Sequence, residues 1–514
     1  MTLTDLLNHW SLTDNPFRGE EARTDEVFAR MSETGGESVP VFHSDFEKFV
    51  GDMRRPCSSV VFGEKGSGKT SIRLQLARRV AEHNATHVAA KVLLAPYDDL
   101  NGMLGRLHER VGGKSSLESL QKVRLVDHID SILHLVVPRL VDAILGRTGE
   151  EDPIELPPEA KKPAKKLDRE QRRDLLLLQA LYDRAAFAHH RTAALRRRLK
   201  LGFSLRVLAG RWLLFGAPVL IIAAFGWLQW FAPATWTDDT HLLAAWGLAA
   251  LAAVYAIAAM KLGVWDKLRL IRTAMRVRRQ LRTIARNDGS FARSLIELGY
   301  PGRDTSDLPL TDSDEQRYDM LDRLRRLLRV FGYTGMIVVV DRVDEPTLVS
   351  GDPERMKALV WPMLHNKFLQ QDSIGVKLLL PIELRHVLFR ESSAFFQEAR
   401  LDKQSLIERL SWTGAMLYDL AEARIAACTV KGAPPTKLIA MFAEDVSHAD
   451  LIDALDRMKQ PRDAFKLLYR TLVEHCAGVT QGQNVFRIPR HTLQLILRQE
   501  TDRLQQLAQG IRPG

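Results

Sequence analysis

A glycine-rich run that contains one lysine and one threonine is the feature of this sequence most able to do chemistry. It consists of Gly63, Glu64, Lys65, Gly66, Ser67, Gly68, Lys69 and Thr70. The run matches GxxxxGK[ST], in which glycines let backbone N–H groups close around phosphate oxygens. The lysine then reaches the β- and γ-phosphates of a nucleotide, and the hydroxyl binds Mg²⁺. The run therefore predicts phosphate binding by all eight residues, a catalytic role for Lys69 and magnesium binding by Thr70.

A second group of polar residues follows an uninterrupted apolar run, Met336–Val340. Such a run is typical of a strand buried on both faces of a parallel sheet. An acid at the carboxyl end of that strand is placed to hold Mg²⁺, and this acid is Asp341. A further acid should stand close by to orient water. Glu345 is the preferred candidate and Asp344 the alternative.

The patterns around the glycine-rich run predict the elements that position it. Residues 58–62 read as a short β-branched strand. Apolar residues then recur at helical spacing, at Ile72, Leu74, Leu76, Ala77 and Val80. A strand, a glycine-rich loop and a helix form the structural context that a phosphate-binding loop requires.

Two long uncharged runs interrupt the chain between these two groups of residues. They are Trp212–Pro233 and Leu242–Met260, each close to the ~20 residues that a helix needs to cross a bilayer. The connection between them carries Asp238 and Asp239 and no Lys or Arg, whereas both outer flanks are basic. The positive-inside rule then predicts a two-pass hairpin in the inner (cytoplasmic) membrane, with both termini in the cytoplasm.

The distribution of charge supports the same arrangement. The formal net charge is +10, but residues 190–211 and 261–286 together carry +15, so the remainder carries −5. This balance makes nucleic acid an unfavoured partner and the lipid bilayer a favoured one. The three cysteines are far apart and show no metal-ligand spacing, which indicates a reducing compartment.

The predicted fold class is α/β: a P-loop NTPase parallel sheet with a C-terminal helical lid and an inserted two-helix transmembrane hairpin on a helical stalk. An even number of spans keeps both groups of site residues on one side of the membrane. The predicted units are an N-terminal segment (1–50), the first half of the NTPase domain (51–147), a linker (148–167), a stalk helix (168–205), the hairpin (206–262), a return stalk helix (263–300), the second half (315–400), and the lid with a C-terminal element (401–514).

Four motifs resemble the initiator-type branch of AAA+ ATPases and its STAND-like relatives. They are Asn15-Pro16-Phe17, VVFGEKGSGKT, MIVVVDRVDE and the helix that begins Pro461-Arg462. The resemblance implies that Phe17 lies near adenine and that Arg462 is the sensor-2 arginine of the lid. The insertion of membrane helices between the two halves of the site resembles the KAP family of P-loop NTPases. Some KAP members are linked to phage exclusion or to membrane-associated signalling.

These features predict a membrane-anchored cytoplasmic ATPase that uses ATP and Mg²⁺ and acts as a nucleotide-dependent switch, in bacterial defence or signalling. One alternative is a membrane scaffold that binds ATP without hydrolysis, favoured by Arg342 where initiator-type ATPases usually carry Glu. A second is a DNA-associated membrane ATPase, and a transporter is disfavoured because neither run contains an ionisable residue. A homo-oligomer would allow Arg400 and Arg409 to act as fingers in trans. The sequence indicates no protein partner, and the lack of an Asn-Lys-x-Asp motif favours ATP over GTP.

Overall fold

The structure is a computed structural model, and it describes most of the chain. The described residues are 1–18, 22–33, 42–113, 115–147, 154–157, 163–184, 187–202, 212, 216, 218–224, 226–227, 230, 238–298, 307–390, 400, 405–480 and 483–508. Their α-helices are Leu3–His9, Glu26–Glu33, Phe46–Val50, Lys69–Thr86, Asn101–Val111, Ser116–Gln121, Leu125–Leu145, Pro163–Lys166, Arg169–Tyr182, Ala188–Arg198, Asp238–Met260, Asp266–Gln280, Asp288–Glu297, Asp314–Val330, Pro353–Val360, Asn366–Leu369, Ile382–Leu388, Gly414–Cys428, His448–Met458, Pro461–Gly478 and Arg490–Ala508.

Five parallel strands form one sheet in the order β2-β3-β4-β1-β5. The strands are β1 (Ser59–Gly63), β2 (Lys91–Tyr97), β3 (Tyr333–Val340), β4 (Ile374–Pro381) and β5 (Ser405–Ile407). The predicted α/β class with a parallel sheet is therefore confirmed. Strand β4 lies between β1, which carries the glycine-rich loop, and β3, which ends at Asp341.

Alternate side chains of the sheet pack against helices on opposite faces. Val61, Val339 and Leu379 share one core with Ile72 and Leu76 of the helix Lys69–Thr86. The neighbouring residues on the strands, Val60, Val338 and Leu378 among them, share the other core with Met356 and Leu384 from the helices that follow β3 and β4. The chain thus leaves β1 toward one face and leaves β3 and β4 toward the other. In open α/β sheets this reversal opens a crevice at the carboxyl ends of the strands.

The helices between β2 and β3 form a layer whose core continues that of the sheet. Residues 168–205 are predicted as a single stalk helix, and this prediction is wrong. The structure has two helices, Arg169–Tyr182 and Ala188–Arg198. The first ends at Asp183, whose backbone is extended and whose buried carboxylate accepts hydrogen bonds from Gln179 Nε2 and Arg191 Nε, both at 2.7 Å.

The predicted return stalk helix, residues 263–300, is also interrupted. Helix Asp266–Gln280 and helix Asp288–Glu297 are separated by an irregular segment. In that segment main-chain carbonyls accept hydrogen bonds from arginines of the helix Asn101–Val111. Arg110 donates to Leu281 O and Ile284 O, and Arg106 donates to Thr283 O, each at 2.6 Å. These contacts join the end of helix Asp266–Gln280 to helix Asn101–Val111, which follows β2.

Helix Asp238–Met260 contains the second apolar run. It continues through a π-helical turn, Lys261–Trp265, into helix Asp266–Gln280. Among the described residues, its segment Leu243–Met260 is the one helical stretch long and apolar enough to cross a membrane, and none of it is buried. Ten of the 22 residues of the first apolar run, Trp212–Pro233, lie outside the described residues.

The helices after residue 410 form a separate core together with the start of the chain. Helices Gly414–Cys428, His448–Met458, Pro461–Gly478 and Arg490–Ala508, called the lid below, pack around Leu6, Leu12 and Phe17 of the N-terminal segment. Residues 402–475 are predicted as helical, and this prediction is wrong at Ser405–Ile407, because this segment is strand β5 and pairs with β1. Three residues are too few to show a β-period in the sequence.

Candidate functional site

A cleft of about 410 Å³ lies at the carboxyl ends of β1, β3 and β4. Nine of the residues predicted for the site line it. They are Lys65, Gly66, Gly68, Lys69, Thr70, Asp341, Asp344, Glu345 and Arg462. Gly63, Glu64 and Ser67 belong to the same loop but lie behind the lining. The structure thus brings together two groups of residues that are more than 250 positions apart in the chain.

The glycine-rich loop has the backbone geometry that its sequence predicts. Gly66 and Gly68 have φ of 95° and 92°, a conformation that side chains with a Cβ rarely adopt. A Cβ on Gly63 would collide with the hydroxyl of Ser67. The helix Lys69–Thr86 begins directly after Gly68, so its first N–H groups face the loop.

The side chain of Lys69 folds over this loop. Its Nζ donates to Gly63 O at 2.7 Å and to Glu64 O at 3.0 Å. Burial lowers the pKa of Lys69, and the carboxylates of Asp344 and Asp341 oppose that shift. The ammonium group therefore stands between the loop carbonyls and the acids that follow β3.

Asp341 is buried at the end of β3, and only one of its oxygens has a hydrogen-bond donor. Oδ1 accepts the N–H of Arg342 at 2.9 Å, whereas Oδ2 is buried and has no hydrogen-bond partner in the described part of the chain. Burial raises the pKa of this carboxyl group, and Arg73 opposes that shift most strongly. Nη1 of Arg73 lies 3.7 Å from Oδ2 and also forms an ion pair with Asp98. The sequence reasoning missed both Arg73 and Asp98.

The two candidate acids after Asp341 have different surroundings. The carboxylate of Glu345 is 57% exposed and pairs with Arg342 Nη1 at 3.5 Å. Arg342 has a positive φ of 58°, which turns the chain directly after Asp341. Asp344 has the larger electrostatic effect on Lys69, ahead of Asp341. The negative charge of Asp344 thus favours the charged form of Lys69 most, and Glu345 is held by its neighbour.

The lid contacts the glycine-rich loop directly. The indole N–H of Trp412 donates to Ser67 O at 2.8 Å, and the amide of Gln460 donates to the carboxylate of Glu64. Arg462 lies close to the loop, because a Cβ added to Gly66 would lie only 3.1 Å from the Cβ of Arg462. Arg409, considered above as a finger in trans, forms an ion pair with Glu64 of its own chain.

Phe17 does not line the cleft, contrary to what the resemblance implies. Its ring is buried and stacks on Phe465, which does line the cleft, with 6.3 Å between the ring centroids. The N-terminal segment contributes Arg23, Asp25 and Phe28 instead. Asp25 is held by Arg424 of the lid at 2.6 Å. No motif marks these residues, so the sequence offered no signal for them.

Buried polar atoms without partners tell whether Mg²⁺ and a nucleotide fit this site. Six are at the cleft and its loop, within the part of the chain that is described: Ser67 Oγ, Asp341 Oδ2, Arg342 Nε, Arg424 Nη2, Gln460 Oε1 and Arg462 Nε. Each such atom costs about 1–3 kcal/mol when it is left without a partner. A polyanion would accept from the three guanidinium groups, and a hydrated cation would satisfy Asp341. The donor set therefore fits a magnesium–nucleotide complex.

Comparison of the chain with known proteins gave no assignment. No protein-family model matches it, and searches of the curated proteins and of the solved structures found no significant match. Conclusions about function therefore rest on the geometry of the cleft and of the helix Asp238–Met260.

Proposed function

We propose that this chain is a membrane-anchored P-loop ATPase that acts as a nucleotide-dependent switch. The observation that carries the proposal is the convergence of Lys69, Thr70, Asp341 and Arg462 on one cleft at the carboxyl end of a parallel sheet. The sequence resemblance to initiator-type AAA+ ATPases and to the KAP family supports the same conclusion. The exposed apolar segment Leu243–Met260 supports the membrane anchor, which the charge pattern extends to a two-pass hairpin.

Each residue of the phosphate end has a role that follows from its position. The N–H groups of Gly66 to Thr70 surround the phosphates, and Lys69 exchanges the carbonyls of Gly63 and Glu64 for phosphate oxygens. The Thr70 hydroxyl and the oxygen of Asp341 that has no hydrogen bond would hold Mg²⁺. When bound, Mg²⁺ neutralises charge that develops on the phosphate oxygens.

The attacking water requires an acid that orients it. Asp344 lines the cleft and has the strongest charge interaction with Lys69, whereas Glu345 must first leave Arg342. Release of Glu345 from this ion pair would cost little, because exposed ion pairs contribute about 0–1 kcal/mol. Both acids therefore stay candidates, and Asp344 needs the smaller rearrangement.

The lid supplies the switch. Trp412, Gln460 and Arg462 contact the loop that would hold the phosphates. Binding of phosphate repositions Lys69 and gives Arg462 an anionic partner, so the lid has different contacts in the two states. A ligand shifts a conformational equilibrium only through such differential contacts.

The experiment is binding of a fluorescent ATP analogue and release of phosphate by the full chain in detergent. Lys69→Ala should weaken binding by about 100-fold, or about 2.7 kcal/mol, and abolish release. The matched control is Lys431→Ala, because Lys431 is exposed and does not line the cleft. Unchanged binding in Lys69→Ala would show that the site is assigned wrongly.

A second function, a scaffold that binds ATP without hydrolysing it, is favoured by the pairing of Glu345 with Arg342. Phosphate release by Asp344→Asn and Glu345→Gln separates the two functions. Loss of release in either variant, with binding retained, supports the ATPase and names the acid. A negligible rate in the wild type, together with tight binding, supports the scaffold.

A further inference from the structure

Two carboxylates lie side by side at the edge of the sheet, although only one is needed to hold a metal. Strands β2 and β3 pair in register, with Tyr97 opposite Val340. The next residues are Asp98 and Asp341, which therefore follow neighbouring strand ends. In the sequence the two residues are separated by the whole helical insertion.

One arginine lies between them and contacts them unequally. Nη1 of Arg73 forms a close ion pair with Oδ2 of Asp98, whereas its distance to Oδ2 of Asp341 is 3.7 Å. Arg73 lies in the second turn of the helix Lys69–Thr86, directly after Ile72, and its side chain is 11% exposed. A guanidinium group so poorly hydrated needs a carboxylate partner.

The unequal contact leaves Asp341 partly free. Its Oδ2 is buried without a hydrogen bond, even though an arginine is within reach. A full ion pair with Arg73 would place a fixed cation on the oxygen that a metal ion must bind. Because Arg73 pairs with Asp98 instead, the three side chains together keep one net negative charge next to Thr70.

We infer that Asp98 is a positioning residue that holds the guanidinium group of Arg73 away from Asp341 and so leaves Oδ2 of Asp341 to Mg²⁺. This inference rests on the proposed function, because it assigns the metal to Asp341. It adds a residue that no motif marks and a reason for the second acid at the sheet edge. Arg73 in turn screens the repulsion between the two carboxylates.

The test is the concentration of Mg²⁺ that gives half-maximal binding of a fluorescent ATP analogue to the full chain in detergent. In Asp98→Asn, Arg73 has only Asp341 as a charged partner, and the Mg²⁺ midpoint should rise by about ten-fold, or about 1.4 kcal/mol. In Arg73→Gln the competitor is absent, so the midpoint should not rise. The double variant Asp98→Asn with Arg73→Gln should return to the value of Arg73→Gln, and Asp98→Glu should behave as the wild type.

This pattern is one that a merely structural role would not produce. If Asp98 only stabilised the fold, the double variant would bind no better than Asp98→Asn, and that result would overturn the inference. The control is Glu47→Gln, which should leave the Mg²⁺ midpoint unchanged. This variant breaks an exposed ion pair between Glu47 and Arg79, and Arg79 lies on the same helix as Arg73. Melting temperatures of all variants identify any that fail to fold.

The same experiment distinguishes failure of the proposed function from failure of the role given to Asp98. A wild type that does not bind the ATP analogue at all contradicts the proposed function. A wild type that binds it equally well with and without Mg²⁺ leaves nucleotide binding in place and overturns the role of Asp98. Binding that depends on Mg²⁺, with the same midpoint in Asp98→Asn, overturns the role of Asp98 alone.

Discussion

Two buried aspartates of this protein, each beside an arginine, differ in how completely their oxygens are bonded. Asp130, in the helical layer, accepts from the guanidinium group of Arg317 at 3.3 Å and from the hydroxyl of Tyr182 at 3.0 Å. Asp341, at the sheet edge, accepts one backbone N–H and leaves its other oxygen without a hydrogen bond. Burial raises the pKa of both carboxyl groups, to about 6 for Asp130.

The difference separates structural polar groups from functional ones. A buried charge with a full set of partners holds helices together and has nothing left for a ligand. A buried charge with a free oxygen reduces the stability of the empty protein and gains a partner when a ligand binds. By this criterion we assign a structural role to the helical layer around Asp130 and propose a binding role for the sheet edge around Asp341.

The largest effect is expected at the buried ion pair of Asp130 and Arg317. Arg317→Met leaves Asp130 buried without its cation, and the free energy of unfolding should fall by about 3–5 kcal/mol. Chemical denaturation of the full chain in detergent measures it. The control is Arg329→Met on the same helix, whose ion pair with Asp372 is exposed and should contribute about 0–1 kcal/mol. If the two variants were equally stable, the assignment of Asp130 to a structural role would be wrong.

A pH titration tests the same layer through His128. This buried ring accepts from the hydroxyl of Tyr97 at 3.1 Å and donates to Leu359 O at 3.0 Å, so both nitrogens have partners while the ring is neutral. Burial lowers the pKa of His128 to about 4, below its ordinary value of 6.5. The unfolded chain therefore binds the proton first as the pH falls.

The contribution of His128 to stability should thus be complete above pH 6.5 and decrease by about 3 kcal/mol as the pH falls to about 4. Because other groups also titrate in this range, the measured quantity is the difference between the wild type and His128→Gln. That difference should shrink as the pH falls. A difference that is independent of pH would show that the ring is not held neutral by the fold.

The smallest effect is expected at Asp341, where the substitution should raise the stability of the empty protein. Asp341→Asn removes a buried charge of which one oxygen has no hydrogen bond, and the empty protein should gain about 1 kcal/mol of stability. The same variant should lose phosphate release that depends on Mg²⁺. Thermal unfolding without nucleotide and an assay of phosphate release measure the two effects. Lower stability in Asp341→Asn would place Asp341 with Asp130 among the structural groups.

The sequence was sufficient to predict those parts of the fold that depend on local pattern. The glycines at positions 66 and 68, the strand before them and the buried strand β3 all follow from backbone requirements and hydrophobic runs. The α/β class follows from the same patterns. The contacts of Asp341 with Arg73 and of Arg73 with Asp98, by contrast, depend on which strands are neighbours in the sheet. A single sequence does not show the order of the strands.

The interruptions of the predicted stalk helices show the same limit. Residues 168–200 have a continuous helical pattern, yet the helix ends at Asp183, because its carboxylate bonds to Arg191 across the break. Strand β5 was missed because a strand of three residues is defined by its pairing with β1 and not by its own period. In each case the structure is decided by a contact that the local sequence pattern does not show.

The contacts at the end of the helix Asp266–Gln280 have a consequence for how this region tolerates substitution. Arg110 and Arg106 bind the carbonyls of Leu281, Thr283 and Ile284, and carbonyls are the same for every amino acid. Substitution at those three positions does not by itself remove these hydrogen bonds, and what constrains the three side chains is their burial in the core. The attachment of helix Asp266–Gln280 is thus specified by two side chains some 170 positions earlier in the chain and by the backbone of the residues to which they bind.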